Sequence, residues 1–186
     1  LEIMRQAGRI ISKLLKLIEQ AIKPGVTTKK LDEIAESFIR SERALPAFKG
    51  YYGFPASICA SVNEEVVHGI PGSKVLKDGD IIGIDVGVKF EGYYSDAART
   101  FAVGSIDKKS RQLIDVTREA MMRGIEMAVE GNRLTDISWA VQRCAEENGF
   151  SVVRQYVGHG IGRQLHEEPQ VPNYGRPHQG PRLVEG

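Results

Sequence analysis

Near the middle of the chain, Ile81-Ile82-Gly83-Ile84-Asp85-Val86-Gly87-Val88-Lys89-Phe90 is followed by Glu91-Gly92 and then by Tyr93-Tyr94-Ser95-Asp96-Ala97-Ala98-Arg99-Thr100-Phe101. The pattern predicts a β-hairpin with Glu91-Gly92 as a two-residue turn. That turn pairs Phe90 with Tyr93, Gly87 with Asp96 and Asp85 with Ala98. Because strand side chains alternate between faces, Asp85 and Asp96 then lie on one face as diagonal neighbours. Asp is disfavoured in strands. Two carboxylates on a partly buried face repel each other and lose solvation unless a proton, a basic side chain or a cation balances them. Oxygen donors of this kind suit hard or borderline divalent ions. The bland alternative is a solvated face with Arg99 or Lys89 as partner, and a three-residue loop would reverse the parity.

The histidines are His68, His159, His166 and His178. Two are framed by glycine, in Val67-His68-Gly69-Ile70-Pro71 and Gly158-His159-Gly160-Ile161-Gly162. Glycines on both sides of His159 allow close backbone approach and let the ring point into a cleft. The stretch is no dinucleotide fingerprint, because Arg163 stands where the third spaced glycine belongs. Taken singly, His68 and His166 read as structural or surface residues, and His178, beside Pro177, carries no functional reading. Glu167 and Glu168 are adjacent, so they point in different directions and read as solvated.

The elements that must position these residues follow from periodicity. Apolar residues at Ile3, Ala7, Ile10, Ile11, Leu14, Leu15, Ile18, Ala21 and Ile22 form a helical stripe that Pro24-Gly25 ends. A Thr27-Thr28 cap opens a second helix with Leu31, Ile34, Ala35, Phe38 and Ile39 on its face. Strands are expected over 56–62 and 80–103, a third helix over about 108–129 and a fourth over about 135–148, with Gly149 as its cap. A shift of 106 positions lays the first helix pair on the second, Gly25 on Gly131 and Leu31 on Ile137, with Ile3 on Lys109 the one mismatch. This points to duplication, with half-repeats 1–105 and 106–186 in a single domain and the first half's strands recurring near 186–209.

Composition excludes several classes. Lys and Arg number 25 against 24 Asp and Glu, a net charge of +1, which leaves no basic field for nucleic acid or anionic lipid. At 186 residues, 41% hydrophobic and 26% charged, the chain suits one globular domain. Apolar runs break after four or five residues, far short of the roughly 20 a bilayer requires. Cys59 and Cys144 lie far apart with no signal-peptide pattern, which suits a reducing cytoplasm. A first residue Leu1 and a last stretch without a closing element lead us to expect an incomplete chain.

The motifs Ser61-Val62-Asn63-Glu64-Glu65-Val66-Val67-His68-Gly69-Ile70-Pro71, Ile84-Asp85-Val86-Gly87, Tyr94-Ser95-Asp96-Ala97-Ala98-Arg99-Thr100, Gly158-His159-Gly160-Ile161-Gly162 and Leu165-His166-Glu167-Glu168-Pro169-Gln170 together resemble the type I methionine aminopeptidases of the bacterial kind. The resemblance covers the chain from its first helix to Tyr174. It implies an α+β pita-bread fold, two pseudo-twofold-related α/β halves with antiparallel sheet, the second half incomplete here. It also implies a metallo-exopeptidase that removes the initiator methionine from nascent proteins with a small second residue.

The family's site uses two divalent ions, of Mn, Fe, Co or Zn type, and five protein ligands. By motif, Asp85, Asp96 and His159 match three of these, and two glutamates are expected beyond Gly186. At most one ion is therefore expected in this chain, and little activity from it alone. His68 matches the histidine that contacts the scissile amide nitrogen, and His166 the one that stabilises the tetrahedral intermediate. Phe48, Tyr51, Phe54, Cys59 and Leu165 match the methionine pocket, although an aromatic cluster reads equally as core. The implied partners are nascent N-termini, with transient ribosome association possible and neither membrane nor specific nucleic acid expected. The alternatives are a non-catalytic binding module or inactive fragment of this fold, and a prolidase-like metallopeptidase.

Overall fold

The computed structural model describes residues 1–185. Helix α1 (Glu2–Ala21) buries Ala7, Ile10, Ile11, Leu14 and Ile18, the stripe that its periodicity requires. Helix α2 (Thr28–Ser41) starts where the Thr27 side chain accepts a hydrogen bond from Lys30 N–H, and it buries Leu31, Ala35 and Ile39. Strands β1 (Leu45–Pro46), β2 (Ile58–Val62), β3 (Ile81–Phe90) and β4 (Tyr93–Ala102) follow, with a single 3-10 turn at Tyr51–Gly53 between the first two.

Strand β3 is the centre of the sheet. It pairs antiparallel with β4 along its whole length, so β1 and β2 share its other edge. The turn between β3 and β4 is the two-residue one, with Glu91 at φ 47° and Gly92 at φ 84°, both left-handed as that hairpin requires. On one face of β3, Ile82, Ile84, Val86 and Val88 are fully buried in a core shared with α1 and α2. Burial of each such side chain contributes about 1.5–3 kcal/mol. Stability is concentrated on that face, which leaves Gly83, Asp85 and Gly87 to the other.

After β4 come α3 (Lys108–Met127), α4 (Leu134–Glu147), β5 (Gly158–Gly160) and β6 (Glu167–Val171). Both helices of this second pair begin and end 106 residues after those of the first. Their loop glycines, Gly25 and Gly131, have φ of 91° and 90°. The bonds behind the loops repeat as well. Gly25 N–H donates to Leu76 O and Leu76 N–H to Val26 O, while Gly131 N–H donates to Leu183 O and Leu183 N–H to Asn132 O. The described chain divides into two compact units, one of Leu1–Lys108 with Ile161–Leu165 and one of Lys109–Gly160 with the residues from His166 on. No helix among the described residues is long and apolar enough to cross a membrane.

The segment around His178 does more than the sequence suggested. Asp136, buried in the first turn of α4, accepts the N–H groups of Arg133 and His178, both at 2.7 Å. Thr135 Oγ1 accepts Gln179 N–H and donates to Gln179 O. The bonds from Arg133 and His178 hold the Asp136 carboxyl below its ordinary value of 3.8. Asp136→Ala is expected to cost about 1–3 kcal/mol at neutral pH, because two backbone donors lose a charged acceptor. A depressed folded-state value means that this stabilisation is present above the unfolded value and lost as pH falls through the folded one. Urea midpoints of the wild type and the variant are thus expected to differ at pH 7 and to converge below pH 3.8. The His178 side chain is 86% exposed, and His178→Ala is expected to change little.

Candidate active site

The pairing of β3 with β4 matches Phe90 with Tyr93, Gly87 with Asp96 and Asp85 with Ala98. Asp85 and Asp96 therefore share a face on adjacent strands, about 7–8 Å apart between backbones as diagonal neighbours are. Across the other edge of β3, Cys59 stands opposite Asp85 and brings its side chain to the same face. Phe48 closes in from above. A Cβ on Gly87 would meet Phe48 Cε1 at 2.6 Å and Ala47 Cβ at 3.0 Å, so glycine is required there to admit the ring. A carboxylate pair thus borders an apolar wall of Phe48 and Cys59.

Cys59 is 5% exposed. Burial first, and then the carboxylates of Asp85 and Asp32, push its thiol up to about 12. It is neutral at physiological pH and serves as a polarizable wall rather than a nucleophile. Of the two basic residues that could have balanced the aspartates, Arg99 is on the wrong face. It pairs in register with Ile84 and reaches Glu19 of α1 at 3.1 Å, over the Phe101 ring. Lys89 lies on the face of the aspartates, with Nζ 5.2 Å from the Tyr94 ring centroid.

The other pocket candidates differ in burial. Leu165 is 3% exposed and Phe54 half-buried, whereas Tyr51 is 38% and Tyr52 95% exposed, their rings edge to face at 4.7 Å. The tyrosines are therefore not core. Leu165 belongs to a segment docked on the hairpin, where Tyr94 N–H donates to Gly162 O at 2.8 Å and Arg163 stacks over Tyr93. His68 is exposed on the loop after β2, in a left-handed conformation of φ 61°.

In the second unit, β5 and β6 pair antiparallel with an irregularity between His159 and Gly160. A Cβ on Gly160 would meet Glu168 O at 2.3 Å, which is the close approach that the glycines permit. His159 Nδ1 stands 2.9 Å from Gly160 O. A carbonyl can only accept, so Nδ1 is the donor in this contact, and in a neutral ring that leaves the lone pair on Nε2, the tautomer a metal ligand needs. The rings of His159 and the exposed His166 are 4.2 Å apart.

Among the described residues of either unit, no three His, Cys, Asp or Glu side chains are grouped as a metal site would need. In the first unit the two hard carboxylates suit a divalent ion in chemistry, and in the second the His159 imidazole, with Nδ1 engaged by a carbonyl, does so too. Sequence reasoning passed over Asp32, whose Oδ1 accepts Ser57 N–H at 2.7 Å and Ile58 N–H at 3.0 Å and so anchors the start of β2. Burial pushes its carboxyl up, against the pull of those two bonds. A lone acid on an amphipathic helix gave no signal of that role.

The sequence model of metallopeptidase family M24 matches residues 2–186. A methionine aminopeptidase of Clostridium acetobutylicum is 58% identical over 187 residues, which cover 100% of this chain and 75% of that protein. The crystal structure of methionine aminopeptidase from Rickettsia prowazekii superposes with a TM-score of 0.97 at 48% identity, over 98% of this chain and 74% of that one. Prolidase from Pyrococcus furiosus superposes less closely, with a TM-score of 0.85 at 26% identity and 52% of its length covered.

Proposed function

The chain belongs to metallopeptidase family M24, and from that premise we propose that it is a methionyl aminopeptidase of the pita-bread fold, removing the initiator methionine from nascent proteins whose second residue is small. The observation that carries this reading is the Asp85 and Asp96 pair on one sheet face beside the neutral Phe48 and Cys59 wall. A carboxylate pair supplies part of a metal site, and an apolar wall part of a pocket. Side by side they put the chemistry next to a place for a thioether side chain.

The family is one of metallopeptidases, and in this chain Asp85, Asp96 and His159 are the residues that would hold divalent metal. Two ions, of Mn, Fe, Co or Zn type, in a site with all five ligands would polarise the scissile carbonyl and acidify the attacking water. The protein's own part is placement. Phe48, Tyr51, Phe54, Cys59 and Leu165 receive the methionine side chain, His68 contacts the scissile amide nitrogen, and His166 donates to the carbonyl oxygen as charge develops there. In support, the segment 161–165 that docks on the hairpin is flanked in the chain by His159-Gly160 and by His166.

The half-repeats 1–105 and 106–186 of one aminopeptidase domain are supported by the coincident helix ends. We place the protein in the cytoplasm, with transient ribosome contact as the route to nascent N-termini.

The test is release of free methionine from Met-Ala-Ser peptide with Mn²⁺, by protein in which all five ligands are present. Turnover is expected for this peptide and not for one with a bulky second residue. No release with metal in excess would overturn the reading.

A further inference from the structure

A histidine that meets one particular amide nitrogen has to hold a fixed place, yet His68 sits on an exposed loop outside any helix or strand. Its φ of 61° is a conformation that a histidine keeps only where neighbours hold it. One such hold is on the next residue. Gly69 O accepts Ala60 N–H at 2.8 Å, along the outer edge of β2. The N–H of the peptide bond joining His68 to Gly69 donates to Ser61 Oγ at 3.1 Å. There is no room for a side chain at 69, since a Cβ would meet Ala60 O at 2.4 Å and Ser61 Cα at 2.9 Å.

Ser61 is 7% exposed and stands opposite Gly83, so its hydroxyl is on the face that carries Asp85. The start of the same loop is braced by Glu65, which accepts Val62 N–H at 2.8 Å and pairs with Lys74.

We propose that Ser61 is a positioning residue for His68: its buried hydroxyl holds the peptide group after the histidine, fixes the backbone torsion on that side, and thereby sets where the imidazole stands. The proposal rests on the role given to His68 above. A buried hydroxyl in this place is not needed for the strand itself, because the β2 ladder is made by backbone groups and Val or Ile is the better strand former. Its use is the bond that it makes to the loop.

The test reads the His68 ring directly. In Ser61→Ala, the His68 imidazole NMR resonances, assigned by their loss in His68→Ala, are expected to shift or broaden while thermal stability stays within a few degrees of wild type. Ser61→Thr keeps the hydroxyl, the strand partner Gly83 has no side chain to compete with the extra methyl, and the variant is expected to keep the wild-type resonances. Ser61→Val has the same shape without the hydroxyl and is expected to lose them, so this pair decides the matter even where the alanine variant fails to fold. With all five metal ligands present, Ser61→Ala is expected to lose about 10- to 100-fold in kcat with KM little changed, and nothing further in a His68→Ala background. Unchanged His68 resonances in both Ser61→Ala and Ser61→Val overturn the proposal whatever the activity, and so does an equal loss in both backgrounds. A fully active His68→Ala sinks the role given to His68, while the resonances still decide whether Ser61 holds the ring.

Discussion

His166→Ala, in protein with all five metal ligands present, is expected to lower kcat for methionine-initiated peptides by about 100-fold or more and to change KM far less. The split follows from when the interaction is made. A hydrogen bond to a neutral carbonyl in the ground state is weak, and it strengthens as the oxygen takes on negative charge in the tetrahedral intermediate. His166 is exposed, with its ring against that of His159, so its removal leaves no buried cavity and a loss of activity cannot be blamed on unfolding. Steady-state kinetics with Met-Ala-Ser decides it. An unchanged kcat would remove His166 from the mechanism.

Asp96→Ala is expected to abolish metal binding measurable by calorimetric titration with Mn²⁺. The argument is charge counting. With Asp85, Asp96 and His159 as the proposed ligands, the two carboxylate charges would balance one divalent ion, whereas a second would leave two positive charges uncompensated. The 186-residue chain is therefore expected to bind at most one ion, weakly, and to show negligible peptidase activity by itself. Removal of one carboxylate leaves even that ion unbalanced. For a divalent ion, a unit charge about 4 Å away at an effective dielectric of about 20 is worth about 8 kcal/mol, so affinity is expected to fall by about a thousandfold or more. Two tight sites in the unaltered chain, or undiminished binding by Asp96→Ala, would show that other ligands hold the metal.

Much of this was legible in order of residues alone. The hairpin register follows from a two-residue turn at Glu91-Gly92, and every pair across β3 and β4 then follows from alternation. The helix ends of the second pair could be placed because the stripe of α1 and α2 recurs in phase. Other assignments stayed open for a physical reason. Tyr51, Tyr52 and Phe54 have the composition of a core cluster, and only the left-handed turn around Gly50 and Tyr52 places the two tyrosines at the surface. Arg99 is set apart from the aspartates by the hairpin register itself, which pairs it with Ile84 on the opposite face, but its contact with Glu19 could not be read from the register. Residues 175–183 lack periodicity, yet they are stapled to α4 by Thr135 and Asp136, acceptors more than forty residues earlier in the chain.

The amino-acid sequence by itself therefore determined the features set within a few residues of themselves: the helix stripes and caps, the turn, the shared face of Asp85 and Asp96, and the motifs that mark the family. Tertiary structure alone decided the choices made between distant segments. It placed Phe48 over Gly87, Cys59 beside Asp85, Arg99 against Glu19 and Ser61 under the peptide that follows His68. Local order is governed by alternation and turn chemistry, which the order of residues encodes directly. Contact between remote segments is settled by volume, burial and the pairing of buried polar groups, which depend on how the packed chain fills its space.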